Sequence, residues 1–136
     1  MANAPGTIEA LLRSPVWAVV GLSANRERAA YGVSAFLQEK GRRIVPVHPE
    51  GAEVHGEPGY AALTDIPFPV DVVDLFVRSE LVGALVDEAI AIGAMGVWMQ
   101  LGVRDDEAAA RAEAAGLLVV MDTCPKIEWP AHGPTG

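Results

Sequence analysis

Five short runs built almost wholly from Val, Ile, Leu, Ala and Met recur along the chain, and stretches of helical spacing lie between them. This alternation constrains the fold more than any other feature, because a strand with no polar face must be covered on both sides. The first run is Val16 to Val20, and the second is Arg43 to Val47, halted by Pro49. "DVVDLFV" ends near Val77, "MGVWMQL" opens at Met95, and "LLVVMD" opens at Leu117.

The intervening segments read as helices. Thr7 is placed to cap "IEALLR", which stops before Pro15 because a proline disfavours helical geometry in the residue before it. Val33, Phe36, Leu37 and Lys40 follow i, i+3, i+4, i+7 spacing, with Gly41 as the stop. Further helices are expected at "GYAAL", at Glu80 to Ile92 behind a Ser79 cap, and at Asp105 to Ala115. "PAHGPTG", from residue 130 onward, reads as a loose tail.

The fold class that follows is α/β: a Rossmann-like, doubly wound, parallel five-stranded sheet in one domain, residues 1–136, with helices on both faces. Right-handed crossovers suggest the strand order 3-2-1-4-5. The ligand crevice is then expected beyond the carboxyl ends of strands one and four.

Composition narrows the partners. A formal net charge of −8, with no lysine-rich run, argues against nucleic acid. The apolar stretch from Leu81 is interrupted by Asp87 and Glu88 and by Gly93 and Gly96, so a membrane span is not expected. Cys124 is the single cysteine, and the N-terminus lacks the basic and apolar pattern of a signal peptide; a cytoplasmic protein is expected.

The loop after strand one, "GLSANRERAAYG", joins a strand to a helix and so resembles a phosphate cradle, where free amides and the positive end of a helix dipole converge. Gly21 would let a ligand approach, and Ser23 and Asn25 could donate to phosphate oxygens. Arg26, Arg28, Arg78 and Arg104 fall on loops at the same end of the sheet. The ordinary alternative is a tight turn, which needs a glycine for its own reasons.

Other chemistries fit less well. The next glycine is Gly32, and strand two ends in His48-Pro49 rather than a carboxylate, so the dinucleotide pattern for NAD or NADP is incomplete. His48 suits stacking better than metal binding, since neither His55 nor His132 has a ligand spacing. No metal site is expected. Asp71 starts strand three, away from the crevice, whereas Asp74 lies among apolar residues and must be paired if buried. Trp98 reads as core, Gln100 as able to reach the crevice, and Cys124 as a small semi-buried residue without an identifiable activating partner. No catalytic residue is assigned.

Five segments in order, "VVGLSANRERAAYGVSAFL", "GRRIVPVHPE", "PVDVVDLFVRSE", "GVWMQLGV" and "MDTCPKIEW", make the chain resemble the small stand-alone CoA-binding proteins. These are similar to the N-terminal domain of the succinyl-CoA synthetase α subunit. The resemblance implies coenzyme A or an acyl-CoA as ligand. Gly21, Leu22, Ser23, Ala24 and Asn25 would hold the phosphates, with Arg28, Tyr31, Gly32 and Val33 at the helix start. Val47, His48, Pro49, Phe76, Val77, Arg78, Gln100, Leu101 and Gly102 would line the adenosine and pantetheine path.

Departures from the family pattern are His48 for a usual asparagine, "FVRSE" for "FRRPE", and Thr123 where arginine is common. They bear on how the adenosine end and the 3′-phosphate are held. The synthetase's phosphorylated histidine belongs to a second domain with no counterpart here, so the expectation is a non-catalytic carrier, sensor or auxiliary module. The rival readings are an NAD(P)- or adenylate-binding protein and a thiol-linked redox protein using Cys124. A homodimer or a protein partner stays open.

Overall fold

The computed structural model describes residues 1–134. Five parallel strands form one sheet: β1 (Val16–Val20), β2 (Arg43–Val47), β3 (Val72–Leu75), β4 (Gly96–Met99) and β5 (Leu118–Val120). Among the described residues, five α-helices flank them: α1 (Pro5–Arg13), α2 (Ala29–Glu39), α3 (Val82–Ala91), α4 (Asp106–Ala114) and α5 (Pro125–His132).

The sheet order is β2-β1-β3-β4-β5, which overturns the expected 3-2-1-4-5. Pro46 supplies the physical reason. Its carbonyl accepts from Tyr60 N on the outer side of β2, whereas Val47 turns its own carbonyl inward to Gly21 N on the β1 side. The ring nitrogen of Pro46 therefore lies on the outer edge, where its missing N–H costs no strand-to-strand hydrogen bond. Placing β3 against that edge would have put the proline inside the sheet. Instead, the long connection after β2 lays Tyr60 along the edge in a one-residue bridge with Val47, then crosses over to deliver β3 beside β1.

Alternate strand residues feed two cores. Trp17, Val19, Val72, Trp98 and Val120 pack under α1, α2 and α5. Ala18, Val73, Leu75, Val97 and Met99 pack under α3 and α4. Trp17 and Trp98 are fully buried with ring centroids 5.7 Å apart, and Trp98 Nε1 donates to the Thr123 carbonyl at 2.9 Å, so the largest side chains of the core are satisfied.

Local expectations fared unevenly. Pro5, not Thr7, opens α1, and no side chain caps it. The buried stripe of α2 is Ala30, Val33, Ser34 and Leu37, while Phe36 turns edge-on to Trp129 at 5.7 Å. "GYAAL" is no helix: only a 3-10 turn follows, at Leu63–Asp65. Ser79 begins another 3-10 turn, Ser79–Leu81, and its hydroxyl accepts from Arg104 N at 3.0 Å rather than capping α3. Asp105 does cap α4, accepting from Ala108 N at 3.0 Å.

Residues 130–132, expected in a loose tail, belong to α5, which Trp129 anchors between Phe36 and the cations of Lys40 and Arg42. Residues 135–136 of that tail lie outside the described residues. Among the described residues, no helix is long and apolar enough to cross a membrane.

Candidate functional site

With β3 beside β1, the two crossovers part between these strands, so the crevice lies at the β1–β3 boundary rather than between β1 and β4. Gly21 follows β1 at this point with φ +97°, and a Cβ there would collide with the Phe76 carbonyl oxygen. Glycine is thus demanded by the sheet itself, before any ligand is considered. A bulky replacement at Gly21 would disturb the fold and so cannot isolate a role in binding.

Two cavities open at this boundary. One, of about 500 Å³, lies on the α2/α5 face and is lined by Ala29, Ala30 and Val33 of α2, by Gln100, Leu101 and Val103 after β4, and by Cys124 and Ile127. The other, of about 440 Å³, lies on the α3 face. Its walls are Val20, Val47, His48, Pro49, the 61–63 segment, and Leu81, Leu85 and Glu88. Gly21, Arg28, Phe76, Val77 and Arg78 line both. The result is one cleft with two lobes, pinched where Gly21 meets Phe76.

Charge and polarity follow the same layout. Arg28 and Arg78 are exposed, and among the described residues neither pairs with a carboxylate, whereas Arg104 pairs with Asp106 at 3.2 Å. These two cations stand together at the junction of the lobes in an otherwise acidic protein, an arrangement whose chemistry favours anions. The N-terminus of α2 also opens onto the α2/α5-side lobe with no side chain capping it. Leu101 and Ile127, 65% and 56% exposed, leave apolar surface at the lip of that lobe.

The glycine loop is braced from within. Ser23 Oγ accepts from Asn25 N at 3.3 Å, and Asn25 Oδ1 accepts from Glu27 N at 3.0 Å. Tyr31 turns its ring onto His55, with centroids 4.3 Å apart, while His55 Nε2 lies 3.0 Å from the Tyr31 carbonyl. His48 fixes its own turn, Nδ1 accepting from Glu50 N at 3.3 Å.

The expected site residues therefore divide into two groups. Gly21, Arg28, Val33, Val47, His48, Pro49, Phe76, Val77, Arg78, Gln100 and Leu101 converge on the cleft. Leu22 is buried in the core, and Ser23, Ala24, Asn25, Tyr31, Gly32 and Gly102 line neither lobe. Gly102 N instead donates to Asp122 Oδ1 at 2.8 Å. Arg26 lies 6.0 Å from the Tyr31 ring, away from both lobes.

Sequence reasoning missed the wall formed by Leu81, just before α3, and by Leu85 and Glu88 of α3; Cys124, expected to be semi-buried, is a buried residue at the end of the other lobe. The i, i+4, i+7 spacing of Leu81, Leu85 and Glu88 was readable. Its meaning depended on knowing that β3 neighbours β1.

Burial pushes the Cys124 thiol above its ordinary value; amide donors Lys126 and Ile127 pull it back, and the charge of Asp74 pushes it up. A thiol held this way attacks slowly, since the thiolate is the nucleophile. Cys124 should react with an aromatic disulfide reagent at pH 7.4 about tenfold or more slowly than free cysteine. A rate equal to that of the free amino acid would contradict the packing described.

The CoA binding domain family matches residues 15–130. YneT, an uncharacterized protein of Bacillus subtilis (strain 168), is 36% identical over 127 residues, covering 93% of this chain and 92% of its own length. A hypothetical protein from Pyrococcus horikoshii OT3 superposes with TM-score 0.89 at 37% identity, over 95% of this chain and 92% of that one. The apo acetyl-coenzyme A synthetase 1 of Ca. Korarchaeum cryptofilum shares the fold at TM-score 0.70 and 23% identity; 81% of this chain matches 26% of that larger one. With the match running from the start of β1 to α5, the chain belongs to the CoA-binding domain family.

Proposed function

We propose that the protein binds coenzyme A, or an acyl-CoA, across both lobes of the cleft, and acts as a binding module: a carrier, a sensor or an auxiliary subunit. The observation that carries this reading is the pair of arginines, Arg28 and Arg78, unpaired among the described residues, at the junction the two lobes share. CoA has its diphosphate between two dissimilar ends, so an anion site between two lobes suits it. The adenine end is assigned to the lobe of Val47, His48, Pro49 and Leu85, which offers apolar walls and a flat imidazole. The pantetheine arm is assigned to the lobe that ends at Cys124.

Thermal unfolding with CoA, acetyl-CoA, dephospho-CoA, NAD and AMP tests this reading. A ligand at about a hundred times its dissociation constant adds roughly 2.7 kcal/mol. The melting temperature should rise most with CoA or acetyl-CoA and less with AMP and NAD. A larger rise with NAD than with CoA, or no rise with CoA, would overturn the proposal.

A second reading rests on Cys124 as part of a cavity wall. There the thiol would join the arm of a CoA disulfide by exchange, releasing the other half as a thiol. Cys124→Ser would then abolish the covalent adduct seen by mass spectrometry while leaving reversible CoA binding intact.

A further inference from the structure

Asp74 occupies the middle of β3, level with Val19 of β1 and Trp98 of β4, and is 0% exposed. Its Oδ1 accepts from Gln100 Nε2 at 2.6 Å, and its buried Oδ2 has no hydrogen-bond partner among the described residues. A carboxyl in such a place costs stability that an apolar residue would not. Gln100, 4% exposed, lines the lobe that ends at Cys124.

A glutamine amide can present either its NH2 or its oxygen to a cavity. Asp74 accepts the NH2, and among the described residues nothing donates to the Gln100 amide oxygen. The charged groups of this lobe, Arg28 and Arg78, are donors without acceptor capacity. The arm of CoA carries two amide N–H groups, a hydroxyl and a thiol, all of which need acceptors. We propose that Asp74 is a positioning residue: it turns the Gln100 side chain so that its amide oxygen faces the lobe and accepts from an N–H or O–H donor on the non-nucleotide arm of the ligand.

This inference rests on the CoA reading above and names what its arm-binding lobe selects. Calorimetric titration with CoA and with adenosine 3′,5′-bisphosphate, which lacks the arm, separates the two. Asp74→Leu removes the acceptor that holds Gln100, so it should weaken CoA about tenfold and leave the bisphosphate unchanged. Asp74→Asn keeps an amide oxygen for Gln100 and should restore CoA affinity to within about twofold of wild type. Gln100→Leu should match Asp74→Leu, and the double variant should be no worse.

An unchanged ratio of CoA to bisphosphate affinity in Asp74→Leu would overturn the inference, as would equal losses in the Leu and Asn variants. If wild-type protein shows no preference for CoA over the bisphosphate, the underlying reading fails and the inference with it. If Asp74→Leu does not fold, the wild-type Gln100 side-chain amide decides: its NMR protons should exchange slowly with and without CoA. Fast exchange in the free protein would overturn the positioning role.

Discussion

Replacing Arg28 and Arg78 together by alanine should weaken CoA binding by at least about a hundredfold, since hydrogen bonds to charged groups are each worth roughly 1.5–3 kcal/mol. The melting temperature of the free protein should not fall. Both side chains are exposed and, among the described residues, unpaired, so their removal breaks no internal ion pair. Salt is the second readout: the variant's residual affinity should depend less on ionic strength than the wild type's, because two charge contacts are gone. Replacing Arg104, which already pairs with Asp106, should change CoA affinity by less than about threefold. Similar losses at Arg104 and at the cleft arginines would mean that the anion site lies elsewhere.

Asp74 should make the stability of the protein fall between about pH 4 and pH 8. Burial pushes its carboxyl up to about 8, with the Gln100 hydrogen bond acting the other way. In the unfolded chain the same group titrates at about 3.9. Between these values the folded state holds a proton that the unfolded state has lost. Stability from this group is therefore full below the lower value, declines by roughly 1.4 kcal/mol per pH unit through the window, and levels off above the upper one. Asp74→Asn has no proton to hold. Urea unfolding of both proteins at pH 5, 6, 7 and 8 should give a difference, wild type minus variant, that falls with pH across this range. Parallel curves would show that Asp74 does not fold in its neutral form.

Much of the architecture was legible because fully covered parallel strands need apolar side chains on both faces. β1 begins and ends where its apolar run does, and β2 ends where its run does, at Val47. The order of the strands was not read correctly: Pro46 marks β2 as an edge strand, which excludes the expected β3 beyond it, and crossover handedness alone did not weigh it. The helix α5 escaped notice because Pro125 and Pro130 look like breakers. Pro125 in fact sits in the first turn, where no N–H is needed, and Trp129 supplies the packing that holds the rest.

That strand-end residues such as Gly21, His48 and Gln100 line the cleft was legible because a parallel sheet delivers its carboxyl ends to one side. Ser23 and Asn25 looked like phosphate donors by residue type, yet their oxygens accept from amides within their own turn. That use is a matter of backbone geometry, which spacing does not reveal. Leu85 and Glu88 become cleft residues only once β3 stands beside β1.

A crystal structure of the complex would show whether one CoA molecule spans both lobes with its diphosphate at their junction. Phosphate oxygens are expected within hydrogen-bond distance of Arg28 and Arg78, adenine between His48 and Leu85, and the thiol end beside Cys124. CoA bound away from the β1–β3 boundary, or with its adenine in the Cys124 lobe, would contradict this placement.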